Sequence, residues 1–248
     1  MWLQVKNWLT GKSNHIVDLR ARSDHGDMAA LCDLALCYQS GDGAPRNLEK
    51  AASFLRIAAE SGLARAQCLL GRCYSKGEGV PADHEQAVYW YRLAAEKNDA
   101  LAQFSLGICH YLGDGVPVNI DLALEWYQKS AAQGLGIAEY NLGACYAHGE
   151  GIAKDMKRAA AWYNRAANHG NGDAQYNLGG CYILGEGVTR DYVRAYMWFD
   201  LADIQGIGDA GIRRNMLKAQ LMSPEQITEA KKCVAAFVPQ KDWVALNY

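Results

Sequence analysis

The sequence has no long apolar run, almost no net charge and none of the short motifs that mark common catalytic sites. No stretch approaches the ~18 apolar residues that a membrane-crossing helix needs, so membrane insertion is not expected. Lys and Arg number 25 against 27 Asp and Glu, a formal net charge of −2. That balance gives no electrostatic case for binding nucleic acid or an anionic membrane. Ser-x-x-Lys, Gly-x-Ser-x-Gly and His-Glu-x-x-His are all missing, and His84-Glu85 lacks the second histidine. The six histidines are scattered, with no helical pair suited to a metal. The opening MWLQVKNWLTGK lacks the apolar core and small-residue cleavage site of a signal peptide. No strand pattern appears. The expectation is an unexported cytoplasmic protein without catalytic residues, cofactor or metal.

What the sequence has is a repeat. From Asp27 to Gly206 five segments of 36 residues follow one another, 27–62, 63–98, 99–134, 135–170 and 171–206. Leu34, Leu70, Leu106, Leu142 and Leu178 hold one phase; Phe54, Trp90, Trp126, Trp162 and Trp198 hold another. Gly41, Gly77, Gly113, Gly149 and Gly185 each open a Gly-acid-Gly loop. A fixed period of this size means stacked supersecondary units, each burying its apolar face on its neighbours.

Each unit reads as helix A, a glycine loop and helix B. Ala66, Leu70, Cys73 and Tyr74 recur at i, i+4, i+7 and i+8, one face of a helix. Gly71, Gly107, Gly143 and Gly179 sit inside helix A at a cost of ~1 kcal/mol against alanine, which implies close backbone approach by the partner helix. Asn47, Asp83, Asn119, Asp155 and Asp191 are placed to cap helix B. Gly62, Asn98, Gly134, Gly170 and Gly206 end it, as residues that tolerate a left-handed conformation. The tryptophan column reads as core packing.

The ends differ. Residues 1–26 read as N-terminal capping helices, Trp2, Val5, Trp8 and Leu9 forming a short amphipathic piece rather than a membrane anchor. Residues 207–237 read as C-terminal capping helices. There Arg214 and Asn215 replace the expected Leu and Gly, and Ser223-Pro-Glu-Gln226 is a capping box that opens a last helix over Pro224–Ala236. Residues 238–248 read as an irregular tail through which self-association is possible, Trp243–Tyr248 inserting into a neighbour's groove.

Cys37, Cys73, Cys109, Cys145 and Cys181 recur once per repeat. Stacked helices lie ~8–10 Å apart, beyond the ~7 Å Cα limit for a bridge, so free thiols in a reducing compartment are expected. Cys32/Cys37 and Cys68/Cys73 are five apart on helices and diverge, which disfavours zinc. The central acid of each loop, Asp42, Glu78, Asp114, Glu150 or Glu186, repels phosphate, so the loops read as turns, with a possible acidic rim. They carry too few carboxylates for calcium.

The pattern A-x-A-x-x-L-G-x-x-Y-x-x-G-x-G-V-P-x-D-x-x-x-A-x-x-W-x-x-A-A-x-x-G closely resembles the Sel1-like repeat, a relative of the tetratricopeptide repeat. Departures are His110 at the Tyr position, Ala44 at the Val, and Ala153 and Thr189 at the Pro. The closing MSPEQITEAKK also resembles bacterial members. The resemblance implies an all-α, right-handed α/α superhelix, a solenoid whose A helices line a concave face. It implies a protein-binding adaptor or scaffold. Family members also include inhibitors that neutralise toxin effectors, and a cysteine-rich branch has been called β-lactamase-like; its cysteines pair differently, so that property is not carried over.

By analogy with the tetratricopeptide groove, the residues that vary on the exposed stripe of helix A form the candidate partner site. These are Arg65, Arg72 and Lys76 in the second repeat, then Leu101, Phe104, Ile108, Tyr111 and Leu112 in the third. Tyr140 and His148 follow in the fourth, Tyr176 and Leu184 in the fifth. Aromatic anchors beside a basic patch suit a protein segment carrying apolar residues and a carboxylate. The alternative is that Phe104, Tyr140 and Tyr176 simply pack between A helices.

Overall fold

The computed structural model describes residues 15–240, and among them it contains helices and no strand. The chain divides into two compact units, one ending at Asn119 and the other starting at Ile120. The first holds α1 (15–24), α2 (Met28–Ser40), α3 (Leu48–Glu60), α4 (Ala64–Lys76), α5 (His84–Glu96) and α6 (Ala100–Leu112). The second holds α7 (Ile120–Ala132), α8 (Gly136–His148), α9 (Met156–Asn168), α10 (Gly172–Leu184), α11 (Tyr192–Ile204), α12 (Ala210–Gln220) and α13 (Pro224–Ala236). From α2 onward the even-numbered helices are A helices and the odd-numbered ones B helices. Met1–Leu9 and Trp243–Tyr248 lie outside the described residues, and with them the amphipathic N-terminal piece and the self-association contact.

Helix ends follow the cap chemistry. Asn47, Asp83, Asp155 and Asp191 each accept a backbone N–H from the first turn of their B helix. Ser223 and Gln226 close the reciprocal capping box of α13. Asn98 ends α5 at φ 67°, the one non-glycine residue with positive φ among those described, standing where the other repeats have glycine.

Two glycines explain how repeats join. A Cβ on Gly71 would lie 2.7 Å from the ring of Tyr91 and 3.1 Å from the Ala87 carbonyl oxygen, so α4 meets α5 through bare backbone. Gly79 closes the loop of the second repeat with φ 76°, and a Cβ there would strike the carbonyl of Leu48, the first residue of α3. The loop of one repeat therefore seats on the helix B start of the repeat before it.

The aromatic column is corrected by one position. Trp90, Trp126 and Trp162 are only half-buried, and only Trp198 is a core residue. Lys129 Nζ stands 4.0 Å from the Trp126 ring and the Arg165 guanidinium 4.8 Å from that of Trp162, so these rings cover the core and meet cations outside. The buried rings are Tyr91, Tyr127, Tyr163 and Phe199, one residue later. A step of one residue turns ~100° around a helix, which in α5, α9 and α11 brings the ring from the flank against the helix-A glycine.

The terminal pair departs from the repeat. Where earlier A helices bury leucine, α12 has Arg214, whose guanidinium pairs with Asp200 and, at 2.8 Å, with Asp203 on α11. Among the residues of α12 only Ala210 and Leu217 are buried.

Candidate functional site

The exposed stripe of the A helices is described unit by unit. In the first unit Leu112 is 58% exposed at the end of α6, with Leu101, Ile108 and Tyr111 half-buried on the same helix. Phe104 is 6% exposed and belongs to the core, so it does not stand ready as an anchor. The basic patch is also reduced. Arg65 Nη1 lies 2.7 Å from Asp33 Oδ1 across to α2, and Arg72 Nη2 donates to Gln39 Oε1 at 3.4 Å. Lys76 is exposed in the last turn of α4.

In the second unit Leu184 is 59% exposed at the end of α10, and His148 is exposed at the end of α8. Tyr140 is half-buried with its ring 6.0 Å from that of Tyr163, and burial beside Asp173 pushes its phenol up from the ordinary value. Tyr176 packs edge-on to Phe199 at 5.6 Å and donates to Asp209 Oδ1 at 2.5 Å. The Arg213 guanidinium sits 5.2 Å from its ring.

One internal cluster escaped sequence reasoning. Gln67, Gln103 and Gln175 are buried, each donating Nε2 to a carbonyl eight residues back, of Ala59, Ala95 and Ala167. In the fourth repeat this column holds Glu139, 0% exposed. Arg165 Nη2 and His169 Nδ1 meet its two oxygens at 2.8 and 2.7 Å. Arg165 also donates to Ala131 O at 3.2 Å, the bond that glutamine makes elsewhere. The signal was a carboxylate in a glutamine column of period 36.

All eight cysteines carry free thiols. Burial pushes Cys32, Cys73, Cys109, Cys145 and Cys181 up to about 11, and Cys68, beside Asp99, well above its ordinary value. Among the described residues no three His, Cys, Asp or Glu gather as a metal site would need. No described helix is long and apolar enough to cross a membrane.

The Sel1 repeat model matches residues 29–63, 64–99, 100–135, 136–171 and 172–206. Among curated proteins no similar sequence is found. Among solved structures, a protective antigen of uropathogenic Escherichia coli with an SLR fold is 33% identical, with TM-score 0.76 over 88% of this chain and 47% of its own. A Sel1 repeat protein from Oxalobacter formigenes is also 33% identical, with TM-score 0.77 over 82% of this chain and 58% of its own. The chain thus spans about half the length of these two relatives. An immunity protein from Pseudomonas aeruginosa shares the fold at 17% identity and TM-score 0.50, over 91% of this chain and 87% of its own. Five matched repeats and these neighbours make the fold an all-α solenoid, and the chain belongs to the Sel1 repeat family.

Proposed function

We propose that this chain is a non-catalytic scaffold that binds a protein segment or domain through the exposed faces of its A helices. The observation that carries the reading is the pair Leu112 and Leu184, large apolar side chains left more than half exposed on a framework that buries its repeated leucines. Exposed apolar side chains beside half-buried aromatics are the material of interface anchors. In the first unit the surface comprises Leu101, Ile108, Tyr111 and Leu112 with Arg72 and Lys76, while Arg65 is held by Asp33 and Phe104 is buried. In the second it comprises Tyr140, His148, Tyr176 and Leu184.

The thiols support a non-catalytic reading, because cysteines held near 11 are protonated at neutral pH and poor nucleophiles. Eight free thiols also suit a reducing compartment, which we take to be the cytoplasm. A narrower reading, an inhibitor that blocks a toxin enzyme, draws only on a likeness of fold to the solved immunity protein.

The test is photo-crosslinking in cells with p-benzoylphenylalanine at Tyr111 on α6 and, separately, at Glu96 on the exposed side of α5. A discrete protein adduct at position 111, absent at 96 and lost with Leu112→Glu, is the expected result. Equal adducts at both positions, or none at 111, would overturn the proposal.

A further inference from the structure

Two consecutive joints of the second unit share a pair of residues and differ in a third. Tyr140 on α8 and Asp173 on α10 recur 36 residues later as Tyr176 on α10 and Asp209 at the start of α12. Asn177 on α10 recurs as Arg213 on α12. In the three joints before them the tyrosine is Cys32, Cys68 or Phe104 and the aspartate is Arg65, Leu101 or Ile137. The combination is confined to these two places.

The later joint is filled from within. Tyr176 donates to Asp209 Oδ1 at 2.5 Å, and Arg213 Nε donates to the same oxygen at 2.9 Å. The Arg213 guanidinium lies 5.2 Å from the centre of the Tyr176 ring. A planar cation that rests on an aromatic face while its N–H groups meet a carboxylate uses both properties peculiar to arginine.

In the earlier joint that cation is missing. Asn177 stands in its place, with a side chain hydrogen-bonded to the phenols of Tyr140 and Tyr163. Tyr140 is half-buried, its ring 6.0 Å from that of Tyr163, and among the described residues no cation stands on it. The Asp173 side chain is exposed and makes no hydrogen bond or ion pair among the described residues. Burial, with Asp173 nearby, pushes the Tyr140 phenol up. The basic residues of these repeats are held elsewhere or stand at the other end of the helices. Arg165 and His169 are on Glu139, and Arg214 is on Asp200 and Asp203. Asp173 is in the first turn of α10, whereas Lys154 and Arg190 follow the last turns of α8 and α10. Lys218 follows Leu217, which shares a cavity lining with Ile183 near that same far end. From Asp173 to Leu184 the helix runs ~16 Å at 1.5 Å per residue.

We propose that Tyr140 and Asp173 form a receptor for an arginine side chain of a bound protein, which lies on the Tyr140 ring and meets the Asp173 carboxylate as Arg213 does with Tyr176 and Asp209. The proposal rests on the protein-binding reading above and adds the residue that the partner must carry. The filled joint shows what occupies such a cradle, so the open one needs no analogy from outside the chain. Lysine answers the charge but neither stacks nor forks, and the receptor therefore selects by shape as well as by sign.

The test adds acetyl-Gly-Arg-Gly-amide to the full chain and follows the ring signals of isotope-labelled tyrosine by NMR, with Tyr140→Phe assigning the signal. The same tripeptide with citrulline, the neutral isostere, is the control. The expected result is a saturable shift at Tyr140 with an affinity about tenfold higher for arginine than for citrulline, a difference of ~1.4 kcal/mol. Asp173→Asn brings the arginine peptide down to the citrulline level. Asn177→Arg supplies the cation from within and abolishes binding; should it fail to fold by circular dichroism, the exposed isosteric change Asp173→Asn carries the test alone. Equal affinity for the two peptides, an affinity unmoved by Asp173→Asn, or no shift at Tyr140 would each overturn the proposal. No shift here beside a specific adduct at Tyr111 would sink this inference alone and leave the broader one standing.

Discussion

Glu139 and Arg165 meet at 2.8 Å between α8 and α9, a wholly buried carboxylate held by a half-exposed guanidinium. Severing a buried ion pair by removing one partner ordinarily costs roughly 3–5 kcal/mol. His169 remains on the second oxygen, so Arg165→Ala is expected to destabilise the protein by about 2–3 kcal/mol. Glu139→Gln installs the side chain of the second, third and fifth repeats, whose amide should reach the Ala131 carbonyl unaided, and should rescue Arg165→Ala in the double variant. Urea unfolding of the four proteins in the cycle checks this; a double variant no more stable than Arg165→Ala would refute it.

Gly71→Ala and Gly180→Ala should move stability in opposite directions although both replace glycine inside an A helix. At Gly71 the new methyl meets the Tyr91 ring at 2.7 Å, and overpacking of that kind costs about 1–3 kcal/mol. At Gly180 nothing intervenes, so the gain in helix propensity, up to ~1 kcal/mol, is realised. Thermal melts of the two variants decide it: the midpoint falls for the first and rises for the second.

His110 should add to the acid sensitivity of the first unit. Burial, with Arg92 nearby, lowers its pKa from the ordinary 6.5, against an opposing contribution from the Pro117 backbone. The native state thus binds fewer protons than the unfolded chain, and stability is lost as pH falls below that ordinary value toward the lowered one. His110→Tyr, which installs the residue of the other repeats, removes this contribution. Denaturation midpoints measured from neutral pH to pH 5 should fall more steeply for the wild type than for the variant; parallel curves would count against the assignment.

The thiols should separate into two classes. Those of Cys32, Cys73, Cys109, Cys145 and Cys181, held near 11 by burial, are almost wholly protonated at pH 8. Cys68 is buried as well, whereas Cys37 and Cys233 are half-buried. A disulfide-exchange reagent added to native protein should give a fast phase of no more than these two, and all eight in denaturant. Fast reaction of five or more in the native state would contradict the burial.

The period, the helix pairs and the caps were legible because each rests on local chemistry that one repeat displays by itself. Asp83 caps α5 wherever α5 packs, and Asn98 marks a left-handed turn by being the one exception in a glycine column. What escaped depends on pairs that the period conceals. Arg65 looked available until α2 brought Asp33 beside it. Phe104 looked like an anchor because its stripe position alone does not tell that the side chain is 6% exposed. The tryptophans outranked the tyrosines by size, yet the residue after Trp90, Trp162 and Trp198 is the one whose ring meets the helix-A glycine. The departure of α12 was half visible in Arg214, but the aspartates that answer it lie on α11, in a different phase of the repeat.

The seating of Gly79 on the Leu48 carbonyl has a consequence for how such a chain can change length. The joint is built from two consecutive copies, a loop from one and a helix start from the other, so neither copy contains a complete one. A genetic excision or duplication that removes or adds 36 residues restores the joint wherever its endpoints fall, because the phase is kept. One that shifts the phase by a single residue brings a side chain against the carbonyl and spoils the junction. Copy number can then rise or fall only in whole units, like the links of a chain, and the row of helix pairs lengthens one pair at a time.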